Sequence, residues 1–130
     1  VLARASRGEY GLTAFRRLAE ADRSRFFDPA GAERWTVKPE IRSMVTFGQG
    51  NLVSEGWWRA FPRQDVIFCR NVLIYFDDAS ITRAIAGLYE SLLPGGYLFL
   101  GHAESLSRIP NRFTPVRRTG VIYYRRPLDG

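Results

Sequence analysis

Asp65-Val66-Ile67-Phe68-Cys69-Arg70-Asn71-Val72-Leu73-Ile74-Tyr75-Phe76-Asp77 is the stretch whose reading decides the fold. From Asp65 to Cys69 it is an unbroken apolar run, which predicts a central strand covered on both faces. Arg70, Asn71 and Tyr75 fall where that strand ends, and Asp77 or Asp78 supplies an N-cap for a helix. In open α/β sheets ligands bind outside the carboxyl ends of the strands. Here that edge carries a charge, a carboxamide and a phenol.

Downstream, Ile81, Ile85, Leu88 and Leu92 recur at helical spacing and predict a helix over Asp77–Leu93, stopped by Pro94-Gly95-Gly96. Tyr97–Leu100 reads as another buried strand. Phe113–Arg118 and Val121–Arg125, joined at Thr119-Gly120, read as a terminal antiparallel hairpin. Upstream, Met44–Phe47 is predicted to be a short strand running into the flexible loop Gly48-Gln49-Gly50-Asn51. Phe26-Phe27 and Trp35–Val37 flank the turn residues Asp28-Pro29-Ala30-Gly31, so a small antiparallel hairpin set apart from the main sheet is expected there. Pro39–Ser43 fits a single helical turn begun by proline. Val1–Ser6 reads as a helix stopped by Gly8, and Thr13–Ala21 as a second, capped by Thr13. Strand, helix, strand and edge hairpin together are an α/β pattern, expected here as one domain over residues 1–130.

A length of 130 residues suits one core, and 45% apolar with 14% aromatic content argues for a packed chain rather than a disordered one. No apolar run approaches the roughly 20 residues of a membrane helix, and the start carries no signal-peptide pattern. Cys69 is the sole cysteine, so an intrachain disulfide is excluded and a reducing, cytoplasmic setting fits. The net charge of +6 comes almost wholly from scattered arginines, not from the clustered stretch of a nucleic-acid surface. The opening on Val1 rather than methionine suggests a piece of a longer protein.

Nucleophile and metal templates find little. His102 is the one histidine, no motif pairs it with Cys69, and metal-ligand spacing, P-loop and GxGxxG patterns are all missing. Cys69 reads as a small buried hydrophobe. What remains is Asn51, Arg70, Asn71 and Tyr75. One reading has Arg70 and Asn71 capping the strand end while Tyr75 packs under the next helix. The other makes the cluster a pocket for a polar cofactor.

The Asp65–Asp77 run, followed by Leu92-Leu93-Pro94-Gly95-Gly96-Tyr97-Leu98-Phe99-Leu100-Gly101-His102-Ala103-Glu104-Ser105, resembles the CheR family of chemotaxis receptor methyltransferases. Ala5-Ser6-Arg7-Gly8-Glu9-Tyr10 and Asn51-Leu52 fall where that family has its A-x-x-G-x-Y and N-L elements. The resemblance implies S-adenosylmethionine as cofactor, S-adenosylhomocysteine as product, and glutamate side chains in the cytoplasmic region of chemoreceptors as acceptors. It implies that Asn51 and Leu52 lie against the adenine end, that Arg70 and Asn71 line the methionine end, and that Tyr75 faces the transferring methyl and the acceptor carboxylate. The catalytic candidates are therefore Tyr75 and Arg70. The resemblance makes residues 26–45 the family's small β-subdomain, in which the connection Asp28–Glu33 looks short beside the receptor-peptide-docking form.

The resemblance also implies what this chain lacks. The family's glycine-rich loop, its acidic ribose-binding strand end and its N-terminal helical domain have no counterpart here. The expected fold is thus a partial class I, Rossmann-like methyltransferase sheet without its first two strands, with the β-subdomain and a C-terminal hairpin. In the family order 3-2-1-4-5-7-6, Met44–Phe47 and Asp65–Cys69 would face a gap roughly 10 Å wide at ~4.8 Å per strand. Bare edges there are sticky, so the missing N-terminal part of the same protein or a swapped copy is expected to complete the sheet. The isolated chain is expected to be inactive and to hold the cofactor weakly. The alternative, from a different class, is a non-catalytic CheR-like module that binds a receptor or signalling partner.

Overall fold

In the computed structural model, which describes residues 1–128, α1 (Leu2–Arg7) ends at Gly8. Gly8 has φ 63°, a left-handed conformation that glycine enters without a Cβ clash, and its N–H donates to the Ala5 carbonyl. β1 (Glu9–Gly11), β2 (Phe27–Pro29) and β3 (Arg34–Val37) form an antiparallel sheet in the order β1-β3-β2. The hairpin expected around Asp28–Gly31 is there, and β1 joins it with Tyr10 opposite Trp35. A three-residue strand that ends in glycine is too short for alternation to reveal.

The helix expected over Thr13–Ala21 does not form. Leu12–Phe15 make a single 3₁₀ turn, and α2 is Glu20–Phe26. Phe15 is buried edge-on against Phe27 at 4.9 Å and Trp35 at 5.1 Å, with Tyr10 at 6.4 Å, and this aromatic packing outweighs a weak local preference. α2 carries Glu20 and Asp22 in its first turn and Arg23 and Arg25 in its last, matching the helix dipole. Phe26 consequently ends a helix rather than starting a strand. α3 (Pro39–Arg42) is the expected single turn with Pro39 at its start.

Met44–Phe47 is not a strand either. Met44 is 82% exposed, and the segment has no ladder partner among the described residues. A strand is stabilised by the partner that takes its N–H and C=O groups; without one, apolar composition leaves only irregular chain. Val1–Gln49 and Gly50–Gly130 are two compact units.

The second unit holds β4 (Gln64–Cys69), α4 (Asp78–Ser91), β5 (Leu92–Leu100), β6 (Thr114–Arg118) and β7 (Val121–Arg125), in the sheet order β4-β5-β7-β6. β4 and β5 run parallel with Ile67 beside Leu98; β5–β7 and β7–β6 are antiparallel. The Asp77 carboxylate accepts the Ser80 N–H at 2.7 Å, and hydrogen bonding to the Ser80 side chain and then to this N–H holds its pKa below the ordinary value. Ile85 and Leu88 of α4 pack with Leu92, Leu98, Leu106 and Tyr124 into the core. The turn between β6 and β7 is made by Gly120 at φ 74°.

β4 departs from the expected central strand. It is the edge of its sheet, with Cys69 and Ile67 turned to the core and Phe68 70% exposed on the other face. Phe68, Phe99 and Tyr123 stack across that outer face at 5.1 and 5.2 Å. The run is apolar on both faces, yet in this unit only one of them is covered.

Candidate functional site

β4 stops at Cys69 and the chain turns at once. Asn71 has φ 58°, in the left-handed region that asparagine tolerates better than most residues. Leu73–Tyr75 then form a 3₁₀ turn, and the N–H groups of Val72, Leu73 and Ile74 at its start converge on one point. Glu104 occupies that point. Its Oε1 accepts the N–H groups of Val72 (3.0 Å), Leu73 (2.8 Å) and Ile74 (3.3 Å), and its Oε2 those of Asn71 (2.8 Å) and Gly101 (2.7 Å).

Burial pushes the Glu104 carboxyl up, but the bonds from Asn71, Gly101, Leu73 and Val72 outweigh it and hold the group below the usual carboxylate range. Since its folded value is below its unfolded one, about 4.3, its contribution to stability is full above that value. It is lost as pH falls through the lowered one.

A cleft of about 690 Å³ opens beside Glu104, at the carboxyl ends of β4 and β5. β7 pairs with β5 at Tyr97 and Leu98; beyond them the tip of the β6–β7 hairpin forms the far wall of the cleft. Phe68 and Phe99 line one side, and Arg70, His102, Arg117 and Arg118 bring in nitrogen groups. Among the described residues no ion pair or side-chain hydrogen bond engages any of these three arginines.

Of the residues singled out from sequence, Arg70 lines this cleft. Asn71 stands next to it, with its backbone held by Glu104. Tyr75 ends the 3₁₀ turn outside the cleft lining and is 81% exposed, so it does not pack under α4. Asn51 is exposed and its Oδ1 accepts the Val53 N–H at 3.2 Å; Leu52 leans on the core around α4. Neither lines the cleft. Among the described residues no cluster of three or more His, Cys, Asp or Glu stands ready for a metal, and no helix is long and apolar enough to cross a membrane.

Cys69 is buried, and burial, with the Glu104 charge next in weight, pushes its thiol up to about 11. The thiolate is the reactive form and an ordinary cysteine titrates near ~8.5. Labelling with a maleimide at pH 8 should therefore run at least tenfold slower in the native chain than in denaturant; equal rates would contradict the burial.

Glu104 and the two hairpin arginines were not among the sequence candidates. Arg117-Arg118 is visible as a basic pair, but only the antiparallel return of β7 brings it to the carboxyl edge of β4 and β5. Glu104 stands in the Gly101–Ser105 run already quoted, and little local marks it, because four of its five donors lie about thirty residues upstream.

Residues 1–122 match the family model described as CheR methyltransferase, SAM binding domain. The chain is 42% identical over 118 residues to chemotaxis protein methyltransferase Cher2 of Pseudomonas putida, covering 89% of this chain and 42% of that protein. It is 40% identical over 126 residues to chemotaxis protein methyltransferase 1 of Pseudomonas aeruginosa, covering 96% of this chain and 45% of that one. With chemotaxis protein methyltransferase 2 of Vibrio cholerae the identity is 38% over 130 residues, the whole of this chain and 45% of the relative. The chain thus spans somewhat under half the length of these curated relatives. It belongs to the CheR methyltransferase SAM-binding domain family, whose cofactor is S-adenosylmethionine.

Proposed function

We propose that residues 1–130 are the C-terminal portion of a CheR-type methyltransferase domain, with residues 26–45 as its β-subdomain, acting in the cytoplasm on glutamate side chains of chemoreceptors. The observation that carries the reading is the cleft at the ends of β4 and β5, apolar along Phe68 and Phe99 and rimmed by Arg70, Arg117 and Arg118, which have no ion-pair partner among the described residues. Such a rim suits an anionic acceptor. The observed order β4-β5-β7-β6 supports a partial Rossmann-like sheet, since it matches the 4-5-7-6 half of the family order.

The residues present fit the methionine end of S-adenosylmethionine. Arg70 is an exposed guanidinium at a strand end with no partner among the described residues, suited to a carboxylate. Asn71 offers a carboxamide beside it. Asn51 and Leu52 are assigned to the adenine end. When bound, the cofactor supplies a methyl group on a cationic sulfur that departs as a neutral thioether. Tyr75, exposed at the end of the turn, donates a hydrogen bond that orients the acceptor carboxylate. An exposed glutamate, with a pKa near ~4.3, is already ionised at neutral pH. No proton has to move and no strong base is needed; alignment and exclusion of water do the work.

β4 presents an open edge and an uncovered aromatic face. We infer that the remaining part of the same protein, or a swapped copy, completes the sheet. This chain alone then binds S-adenosylhomocysteine weakly and transfers no methyl. The same open face is the one observation that favours the alternative of a non-catalytic interaction module.

Methyl-labelled S-adenosylmethionine and a chemoreceptor cytoplasmic fragment separate the readings. The chain alone should leave the receptor unlabelled. Supplied with the part of the Pseudomonas putida relative that it does not match, it should produce base-labile label, the mark of a carboxyl ester. Tyr75→Phe should lower turnover about tenfold or more, the usual weight of a positioned polar group, with affinity little changed. Arg70→Ala should instead weaken cofactor binding. Base-stable label would remove glutamate as the acceptor. Receptor binding with no label in any combination would favour the interaction module.

A further inference from the structure

We propose that Glu104 is a positioning residue: its carboxylate sets the backbone of the Arg70–Tyr75 turn, and through it the directions of Arg70, Asn71 and Tyr75. The inference rests on reading that turn as pocket wall. One side chain accepts five backbone N–H groups, and these come from the chain segments that follow two neighbouring parallel strands. Oε1 gathers Val72, Leu73 and Ile74, fixing the start of the 3₁₀ turn. Oε2 bridges Gly101, just past β5, to Asn71, just past β4. Charge-assisted bonds of this kind are shorter and stronger than neutral ones, and here they hold Asn71 in a left-handed conformation that it would otherwise enter at a cost.

Converging backbone N–H groups of this sort elsewhere form anion-binding concavities. In this chain the concavity is filled from within, so it is closed to a ligand's phosphate or carboxylate. Anion recognition is left to the side chains of Arg70 and the hairpin arginines. With both oxygens engaged, Glu104 is also unsuited to act as a general base, although it lies on the cleft wall. The packing leaves no slack: a Cβ built on Gly101 would stand 2.6 Å from Glu104 Oε2 and 2.5 Å from Asn71 Oδ1.

Glu104→Gln tests this, because a carboxamide keeps the shape but has one acceptor and one donor. Its oxygen is expected to stay with the three-donor group, which turns its NH₂ towards the Asn71 and Gly101 N–H groups. Residue-resolved amide hydrogen exchange on the full chain should then quicken at least tenfold at Asn71 and Gly101. Leu73 and the α4 amides should hold their protection. Glu104→Asp, which keeps the charge on a shorter arm, should loosen the same two amides and so not rescue them. Unchanged exchange at Asn71 and Gly101 would overturn the proposal. So would uniform loss of protection through α4 in both variants, which would make Glu104 a general stabiliser.

In the complemented enzyme, Glu104→Gln should also weaken S-adenosylhomocysteine binding about tenfold by calorimetry. Wild-type affinity alongside loosened amides would overturn the link to the pocket and leave the proposed function standing. If the wild-type assembly binds no S-adenosylhomocysteine, the proposed function fails, and the exchange pattern still decides whether Glu104 positions the turn.

Discussion

Replacing Arg126 with methionine is expected to destabilise the second unit by about 3 kcal/mol, a drop in melting temperature of roughly 10–20 °C for a unit of this size. Arg126 is a buried cation that no sequence pattern singled out. Its Nη1 donates to the carbonyls of Tyr89 (2.8 Å) and Leu92 (2.7 Å), so it closes the end of α4. The Tyr89 carbonyl also accepts the Leu92 N–H that caps the helix, and a cation at a helix C-terminus gains from the dipole. The guanidinium lies 4.6 Å over the Tyr89 ring, and Glu90 reaches Nη1 at 3.9 Å. Methionine keeps much of the packing volume but takes a charged donor away from two buried carbonyls. Each such loss costs about 1–3 kcal/mol. Arg126→Lys, with a single ammonium, should fall between the two. A melting temperature within 2 °C of wild type for Arg126→Met would show that water satisfies these carbonyls.

Gly101→Ala is expected to cost about 2 kcal/mol and to unlock the turn after β4. Glycine-to-alanine changes at positions with ordinary φ and free space stabilise by about 0.4–1 kcal/mol; crowding reverses the sign here. The added Cβ would meet Asn71 Oδ1, which can swing aside, but also Glu104 Oε2, which the Asn71 and Gly101 N–H groups hold, and the Asn71 backbone N at 2.9 Å, which cannot move. Overpacking of this kind costs about 1–3 kcal/mol. Gly50 in the same unit is the control, since its Cβ would meet only the edge of the Phe61 ring at 3.4 Å. Denaturant midpoints should fall for Gly101→Ala and barely move for Gly50→Ala, with similar slopes. Equal midpoints would mean that Asn71 and Glu104 yield freely, and the tight bridge between the strand ends would be discounted.

The legible parts of the fold share a feature. α4, the β6–β7 hairpin and the α1 stop at Gly8 are each specified within a few residues of chain, by a cap, a period or a turn residue. The misread parts depend on a partner. Met44–Phe47 has strand composition, but no strand among the described residues pairs with it, and the Met44 and Val45 N–H groups donate instead to the Ile41 and Arg42 carbonyls at the end of α3. Phe15 falls within the helix expected over Thr13–Ala21, whereas its burial against Phe27 and Trp35 selects a tight turn. The charge order Glu20, Asp22, Arg23, Arg25 is the usable local signal for α2.

By itself the sequence determined that an apolar strand ends in Arg70, Asn71 and Tyr75, and its motifs pointed to the CheR family, which the comparisons bear out. Those are properties of residues that are neighbours along the chain. Only the tertiary structure decided that Glu104 closes the turn from thirty residues away, that Arg117 and Arg118 join Arg70 at one cleft, and that β4 is an edge with Phe68 open to solvent. The physical reason is that a hydrogen-bond acceptor, a cleft wall and a sheet edge are each defined by what stands across a gap in space. Sequence spacing carries no record of that partner until the strands have paired.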